Sequence, residues 1–166
     1  MFKKGEYVVV GSKGVCAVED VTTLNISGVD KEREYYILKP IYVPGSTVYV
    51  PVDGAKESIR RVLTKQEAKQ LIEGLSEIPM IAITSDKLLE QEYRGCIKTN
   101  DCEDWVKVIK TIYLRKQKRL ECGRKITAVD AKYFRIAEDH LCGELAVALN
   151  IPKEKVEEYI TEEIGK

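Results

Sequence analysis

Five cysteines and one histidine are the side chains of this 166-residue protein best able to hold a metal or attack a substrate. The thiols are Cys16, Cys96, Cys102, Cys122 and Cys142, and no pair has C-x-x-C spacing. A closed zinc site needs four Cys or His ligands in tight pairs, and only His140 could help, so the spacing speaks against a metal centre. Reduced thiols, partly in the core, in a reducing compartment fit better. His140 lies beside a predicted apolar helix face of Phe134, Ala137, Leu141 and Leu145, which suits a partly buried structural histidine. Its sequence neighbours Glu138 and Asp139 do not face it, because adjacent helix residues diverge. Gly11-Ser12-Lys13-Gly14 resembles a phosphate cradle only faintly. It joins two predicted strands, with no helix N-terminus to supply a dipole, so a hairpin turn is expected. There is no G-x-S-x-G elbow, no phosphate-binding glycine loop and no H-E-x-x-H. The chain reads as a binding protein rather than an enzyme, with no cofactor and no small-molecule substrate.

Charge is the other chemical resource. The totals cancel, 27 basic against 27 acidic residues, so only their distribution is informative. The first sixty residues balance at eight against eight. Between Lys110 and Lys125 stand seven basic residues and one acid, Glu121, while the C-terminal tail is acidic. Segregated basic charge is the footprint of phosphate contacts, although a solvated helix face has the same composition. At ~100° per residue, Trp105, Val108, Ile109 and Ile112 form a core stripe, with Tyr113 at its margin. The opposite face carries Lys107, Lys110 and Lys118, with Leu114 among them and Arg115 at the flank. Lys116 and Arg119 point nearer the core side and contribute only if the core ends before them. Trp105 sits mid-stripe and reads as core rather than as a binding residue. Leu114 either packs on a neighbouring helix or touches a partner.

These residues must be positioned by two kinds of element. Apolar residues make up 44% and charged residues 33%, a composition able to bury a core. The N-terminus has no signal-peptide h-region, and no run reaches the ~20 apolar residues of a membrane span, so a soluble intracellular protein is expected. The first fifty residues alternate Val, Tyr and Ile runs with Gly, Pro and polar turns. Strands are expected at Tyr7–Val10, Cys16–Val21 (extended by Thr22–Asn25 if the run continues), Tyr35–Lys39 and Thr47–Pro51. Four or five short antiparallel strands make a small curled sheet or barrel, whose edge strand is a template for another strand. Near Asp53 the period changes. Thr64-Lys65-Gln66-Glu67 is a capping box, opening a helix that Gly74 stops. Leu75–Ile83, with Pro79, reads as linker. Helices are then expected at Ser85–Lys98, Cys102–Leu120, Thr127–Leu149 and Lys153–Ile164.

The order of these residues resembles a known family. Met1-Phe2-Lys3-Lys4-Gly5-Glu6-Tyr7-Val8-Val9, Gly14, Gly28, Tyr35-Tyr36-Ile37-Leu38-Lys39 and Val48-Tyr49-Val50-Pro51 are similar to the N-terminal module of the CarD family. Those are bacterial regulators that bind RNA polymerase, and transcription-repair coupling factors share the module. Asn100-Asp101, the run from Trp105 to Arg115, Ala137-Glu138 and Gly143-Glu144-Leu145-Ala146 resemble the family's helical half. The resemblance implies an α+β protein: a small Tudor-like antiparallel β domain over residues 1–60, a short helix and linker over 61–83, and an all-helical domain over 84–166. It implies docking on the polymerase β subunit, partly by strand addition, through Val48, Tyr49, Val50 and the neighbouring Leu24. It also implies that the helical domain contacts promoter DNA at the upstream edge of the melted bubble, through phosphates and groove shape, and so modulates the open complex.

The chain departs from the family pattern at several positions. Val10 and Gly11 stand where relatives carry Tyr-Pro, and Leu24 and Tyr49 where they carry arginines. The family's DNA-wedging Trp falls at Asp86 or its neighbours. Arg115 matches a DNA-contacting Arg, and an insertion around Glu121–Lys125 adds basic charge. The expected DNA surface is therefore Lys107, Lys110, Arg115, Lys118, Arg119, Arg124 and Lys125. The protein is expected in the cytoplasm, at the nucleoid through the polymerase. Three other readings stay open: a polymerase adaptor without DNA contact, a scaffold unrelated to transcription, and an enzyme of unrecognised type.

Overall fold

The computed structural model describes residues 2–11, 13–55, 58–82 and 85–164. The chain divides into two compact units, Met1–Val62 and Leu63–Lys166. The first is an antiparallel sheet and the second is helical, an α+β arrangement.

The sheet has five strands: β1 (Tyr7–Val10), β2 (Gly14–Thr23), β3 (Glu34–Pro40), β4 (Val48–Pro51) and β5 (Ile59–Arg61). Their spatial order is β4-β3-β2-β1-β5, so β4 and β5 are the edges. The Gly11–Gly14 segment is the turn of the β1–β2 hairpin, with Val10 opposite Gly14 and the Lys13 N–H donating to the Val10 carbonyl at 3.0 Å. Gly14 has φ +76°, which a side chain would oppose. Ser12 of that turn lies outside the described residues. The β2–β3 register shifts between Val18 and Asp20, a bulge that leaves Glu19 without a partner across the ladder and bends the strand. Val8, Val10, Cys16, Val18, Tyr36, Leu38, Val50 and Ile59 face one core, to which every strand contributes. β5 was not legible in the sequence. Ile59-Arg60-Arg61 has a single apolar residue and forms a strand only because β1 offers it a free edge.

Among the described residues the second unit has five α-helices. α1 (Lys65–Glu73) carries the expected capping box, Thr64 with Glu67, and stops at Gly74. It packs on α4 (Ala128–Leu149) and α5 (Val156–Ile164). A 3-10 turn follows at Leu75–Glu77. α2 (Asp86–Lys98) is capped by Ser85, α3 (Cys102–Glu121) by Asp101 and α4 (Ala128–Leu149) by Thr127. The expected helical-domain start at Thr84 and linker end at Ile83 lie outside the described residues. The last segment is a 3-10 turn, Lys153–Lys155, followed by α5 (Val156–Ile164).

α3 is the spine of this unit. Cys102, Trp105, Val106, Val108, Thr111 and Ile112 are buried. The arc is wider than the expected stripe, because α2 and α4 cover two sides and the strap before α2 covers a third. The strap is pinned where the Ile81 N–H donates to Thr111 Oγ1 at 2.9 Å. Beyond Ile112 no residue of α3 is buried, so its last two turns project from the core. Trp105 is fully buried against the His140 ring, with centroids 5.3 Å apart. Burial lowers the His140 pKa.

Candidate functional site

The first candidate surface is the outer edge of β4. Val52 N–H donates to the Glu34 carbonyl at 3.0 Å, and Pro51 lies opposite Tyr35. In an antiparallel ladder, hydrogen-bonded and non-bonded pairs alternate. Val50 opposite Tyr36 and Val48 opposite Leu38 are therefore bonded pairs, with backbone groups engaged by β3. Tyr49, opposite Ile37, turns both its N–H and its C=O outward. Pro51 turns out a carbonyl but has no N–H to offer. The side chains follow the same alternation: Tyr49 is 48% exposed, Val50 is buried, and Val48 packs on the core.

Of the four residues expected to face the polymerase, Tyr49 is thus open in both backbone and side chain. Val48 and Val50 turn their side chains into the core, because period-2 alternation points them inward. Leu24 is half-buried just past the end of β2, with β3 between β2 and β4. Tyr35 and Ile37 of β3 are half-buried on the same outward face as Tyr49, and the sequence reading did not single them out. Their place in the β3–β4 register was the available signal. The opposite edge differs: Arg60 and Arg61 of β5 donate from Nη1 to the carbonyls of Arg61 and Val62 at 3.1 and 3.3 Å.

The second candidate surface is the basic part of α3, and the structure divides it. Lys110 is half-buried, and its ammonium donates to the carbonyls of Leu75 at 2.8 Å and Ile78 at 2.6 Å. Lys107 pairs with Asp104 at 3.3 Å, one turn away. Arg115 donates from Nε to Asp130 Oδ2 at 3.0 Å, and its Nη1 lies 3.7 Å from Asp86. Asp130 is fully buried, and its Oδ1 accepts from the Tyr93 hydroxyl at 2.9 Å. Burial opposes the Arg115 charge, yet the Asp130 carboxylate outweighs it and holds the guanidinium more firmly protonated. Burial, with Asp130 beside it, pushes the Tyr93 phenol up. Lys107, Lys110 and Arg115 were expected to face DNA. All three are engaged within the fold: Lys107 by Asp104 on its own helix, and Lys110 and Arg115 by the segments that cover their half of α3.

The other half is open. Lys116, Lys118, Arg124 and Lys125 are exposed and make no ion pair among the described residues. A tight C-terminal motif orders them. The Arg124 N–H donates to the Arg119 carbonyl at 2.8 Å, and the Gly123 N–H to that of Leu120 at 3.0 Å. Gly123 sits at φ +73°, the left-handed position this motif needs. Arg119 Nε closes the turn on the Lys125 carbonyl at 2.7 Å. Lys116 joins the set because the core ends before it. Tyr113, Leu114 and Leu120 are exposed among these cations.

Elsewhere, three thiols are held away from the reactive thiolate form. Burial pushes Cys16 and Cys142 up to about 11, and it raises Cys96. Glu144, fully buried, was missed. It accepts from the Leu63 N–H at 2.9 Å and the Cys102 thiol at 3.1 Å. Its spacing from Ala137 and Leu141 places it on the core side of α4, a signal present in the sequence. Among the described residues no helix is long and apolar enough to cross a membrane.

Residues 2–63 match the family described as the CarD-like/TRCF RID domain. The matched segment ends one residue past the β unit. That family is a non-enzymatic module that interacts with RNA polymerase, and the match supports a polymerase-binding role in transcription regulation for the RID segment. No curated protein matches the chain.

Proposed function

We propose that this protein is a transcription regulator that docks on the RNA polymerase β subunit by adding the β4 edge to a sheet of that subunit. The observation that carries the reading is the RID match over residues 2–63, a segment whose β4 edge leaves the Tyr49 N–H and C=O turned outward. Main-chain bonds of this kind give affinity, while the side chains beside them, Tyr49, Tyr35 and Ile37, give specificity. The exposed end of α3 would then touch the phosphates of upstream promoter DNA through Lys118, Arg119, Arg124 and Lys125, with Lys116, and so modulate the open complex. Such contacts position a protein without reading sequence. In this reading the protein works in the cytoplasm, at the nucleoid through the polymerase.

The internal engagement of Lys107, Lys110 and Arg115 favours a second reading, a polymerase adaptor without DNA contact. One experiment separates the two. The full chain is titrated into purified polymerase, and into polymerase on promoter DNA, at several salt concentrations. Binding to polymerase that gains affinity and salt dependence on DNA supports the first reading. Binding that is indifferent to DNA supports the adaptor. No binding to polymerase would sink both.

A further inference from the structure

The helical unit leaves an apolar groove of about 430 Å³ open between α3, α4 and α5. Its walls are Val106, Ile109, Phe134, Leu141, Ile160 and Ile164. These are spaced i, i+3 on α3, i, i+7 on α4 and i, i+4 on α5, so each helix turns one stripe into the groove. Ile164 is 62% exposed, and Ile109, Phe134 and Ile160 are half-buried. The charges at the groove are not balanced. Lys110 lines it, but its ammonium is held by the Leu75 and Ile78 carbonyls. Glu138 and Glu157 also line it, and among the described residues neither is within ion-pair distance of a cation. The nearby Lys153 is paired with Asp139 at 3.6 Å. Burial, and then Glu157 and Asp139, raise the Glu138 pKa, while Lys153 works against them. The Lys110 ammonium keeps its charge, so the groove lining holds two carboxylates against one cation and is net negative, opposite to the end of α3.

An occupant must bring apolar surface and positive charge together, which excludes nucleic acid. Three stripes lying along helices fit the i, i+3, i+4, i+7 anchors of another helix. We propose that this groove is a docking site for a basic amphipathic helix of a partner protein, its apolar ridge on Ile109, Leu141 and Ile160 and its Lys or Arg side chains on Glu138 and Glu157. The inference does not rest on the polymerase reading, since it concerns different residues and opposite charge.

The test uses the full chain and a fluorescein-labelled amphipathic peptide, about four turns long, with leucines on one face and lysines on its flanks. A second peptide carries glutamates in place of the lysines. Anisotropy should show saturable binding of the lysine peptide, at least tenfold tighter than the glutamate peptide. E138Q/E157Q should erase that preference and E138K/E157K should invert it. Thr161 is exposed at the groove, so Thr161→Trp should fill it and weaken the lysine peptide at least fivefold with the thermal melt unchanged. Equal affinity for both peptides, or indifference to these variants, would overturn the proposal. So would saturation by a small amine, 3-phenylpropylamine, with no peptide binding, because the groove would then be a small-molecule site.

Discussion

The β4 edge and the basic helix α3 were both conspicuous in the sequence, yet the fold treats them in opposite ways. At β4 the ladder register leaves Tyr49 with two unused backbone groups, and nothing among the described residues of the unit takes them. On α3 the fold takes Lys107, Lys110 and Arg115 for itself and leaves only the projecting end. An edge is a property of topology, and every sheet that is not closed has two. A charged side chain carries no such guarantee, because a nearby carboxylate or carbonyl can claim it. A run of cations therefore overstates an interface until its internal partners are known.

Arg115 offers the strongest way to break this contrast. Arg115→Ala would leave Asp130 buried without its cation, and stability should fall by about 3–5 kcal/mol. Lys118→Ala, on the open half, should stay within about 0.5 kcal/mol. Urea denaturation of both variants checks this, and equal stabilities would mean that Arg115 is free after all. It follows that charge reversal at Arg115 is a poor probe of DNA contact, since unfolding would mimic loss of binding.

Proline substitution tests the edge. Tyr49→Pro removes an outward N–H and no β3–β4 bond, so polymerase affinity should drop about tenfold or more while the fold survives. Val50→Pro removes an inward bond and should destabilise the sheet itself. If the two variants melt alike, Tyr49 does not turn its N–H outward. If Tyr49→Pro melts normally and binds normally, β4 is not the docking strand.

The projecting end of α3 gives a smaller effect. Replacing Lys118, Arg124 and Lys125 together by Ala should leave the melt nearly unchanged. The slope of log affinity against log salt on promoter DNA should flatten by roughly 0.9 for each phosphate that is no longer neutralised. An unchanged slope would remove this end from the site and leave the adaptor reading.

The smallest expected effect is at His140. Its folded pKa lies below the unfolded value near 6.5, because burial disfavours the cation. The stability tied to its neutral form is complete above that value and is lost as pH falls through the folded pKa. His140→Gln should therefore flatten the decline in Tm below about pH 6.5. A decline that is as steep in the variant would assign it to other groups.

Much of the architecture was readable in advance. Thr64-x-x-Glu67 with Gly74 bounds α1, and Ser85, Asp101 and Thr127 cap α2, α3 and α4, because caps depend on neighbours a few residues away. Four strands were readable for the same local reason. β5 was not, because Ile59-Arg60-Arg61 has no strand signal of its own and pairs with Val8–Val10, remote in the chain. The buried acids were not read as buried either, although Asp130 and Glu144 sit on the core side of α4. Their partners lie far away: Arg115 and Tyr93 for Asp130, Leu63 and Cys102 for Glu144.

The sequence by itself determined the two-part architecture, the boundaries of α1 to α4 to within a residue, the burial of Trp105 and the presence of a basic run. Each follows from periodicity or from capping within one turn. Only the tertiary structure decided which backbone groups of β4 face outward, which cations of α3 are already held, and that three helices leave an acidic-rimmed apolar groove. Those outcomes depend on pair distances between residues remote in sequence, and a hydrogen bond or ion pair forms or fails within about an ångström.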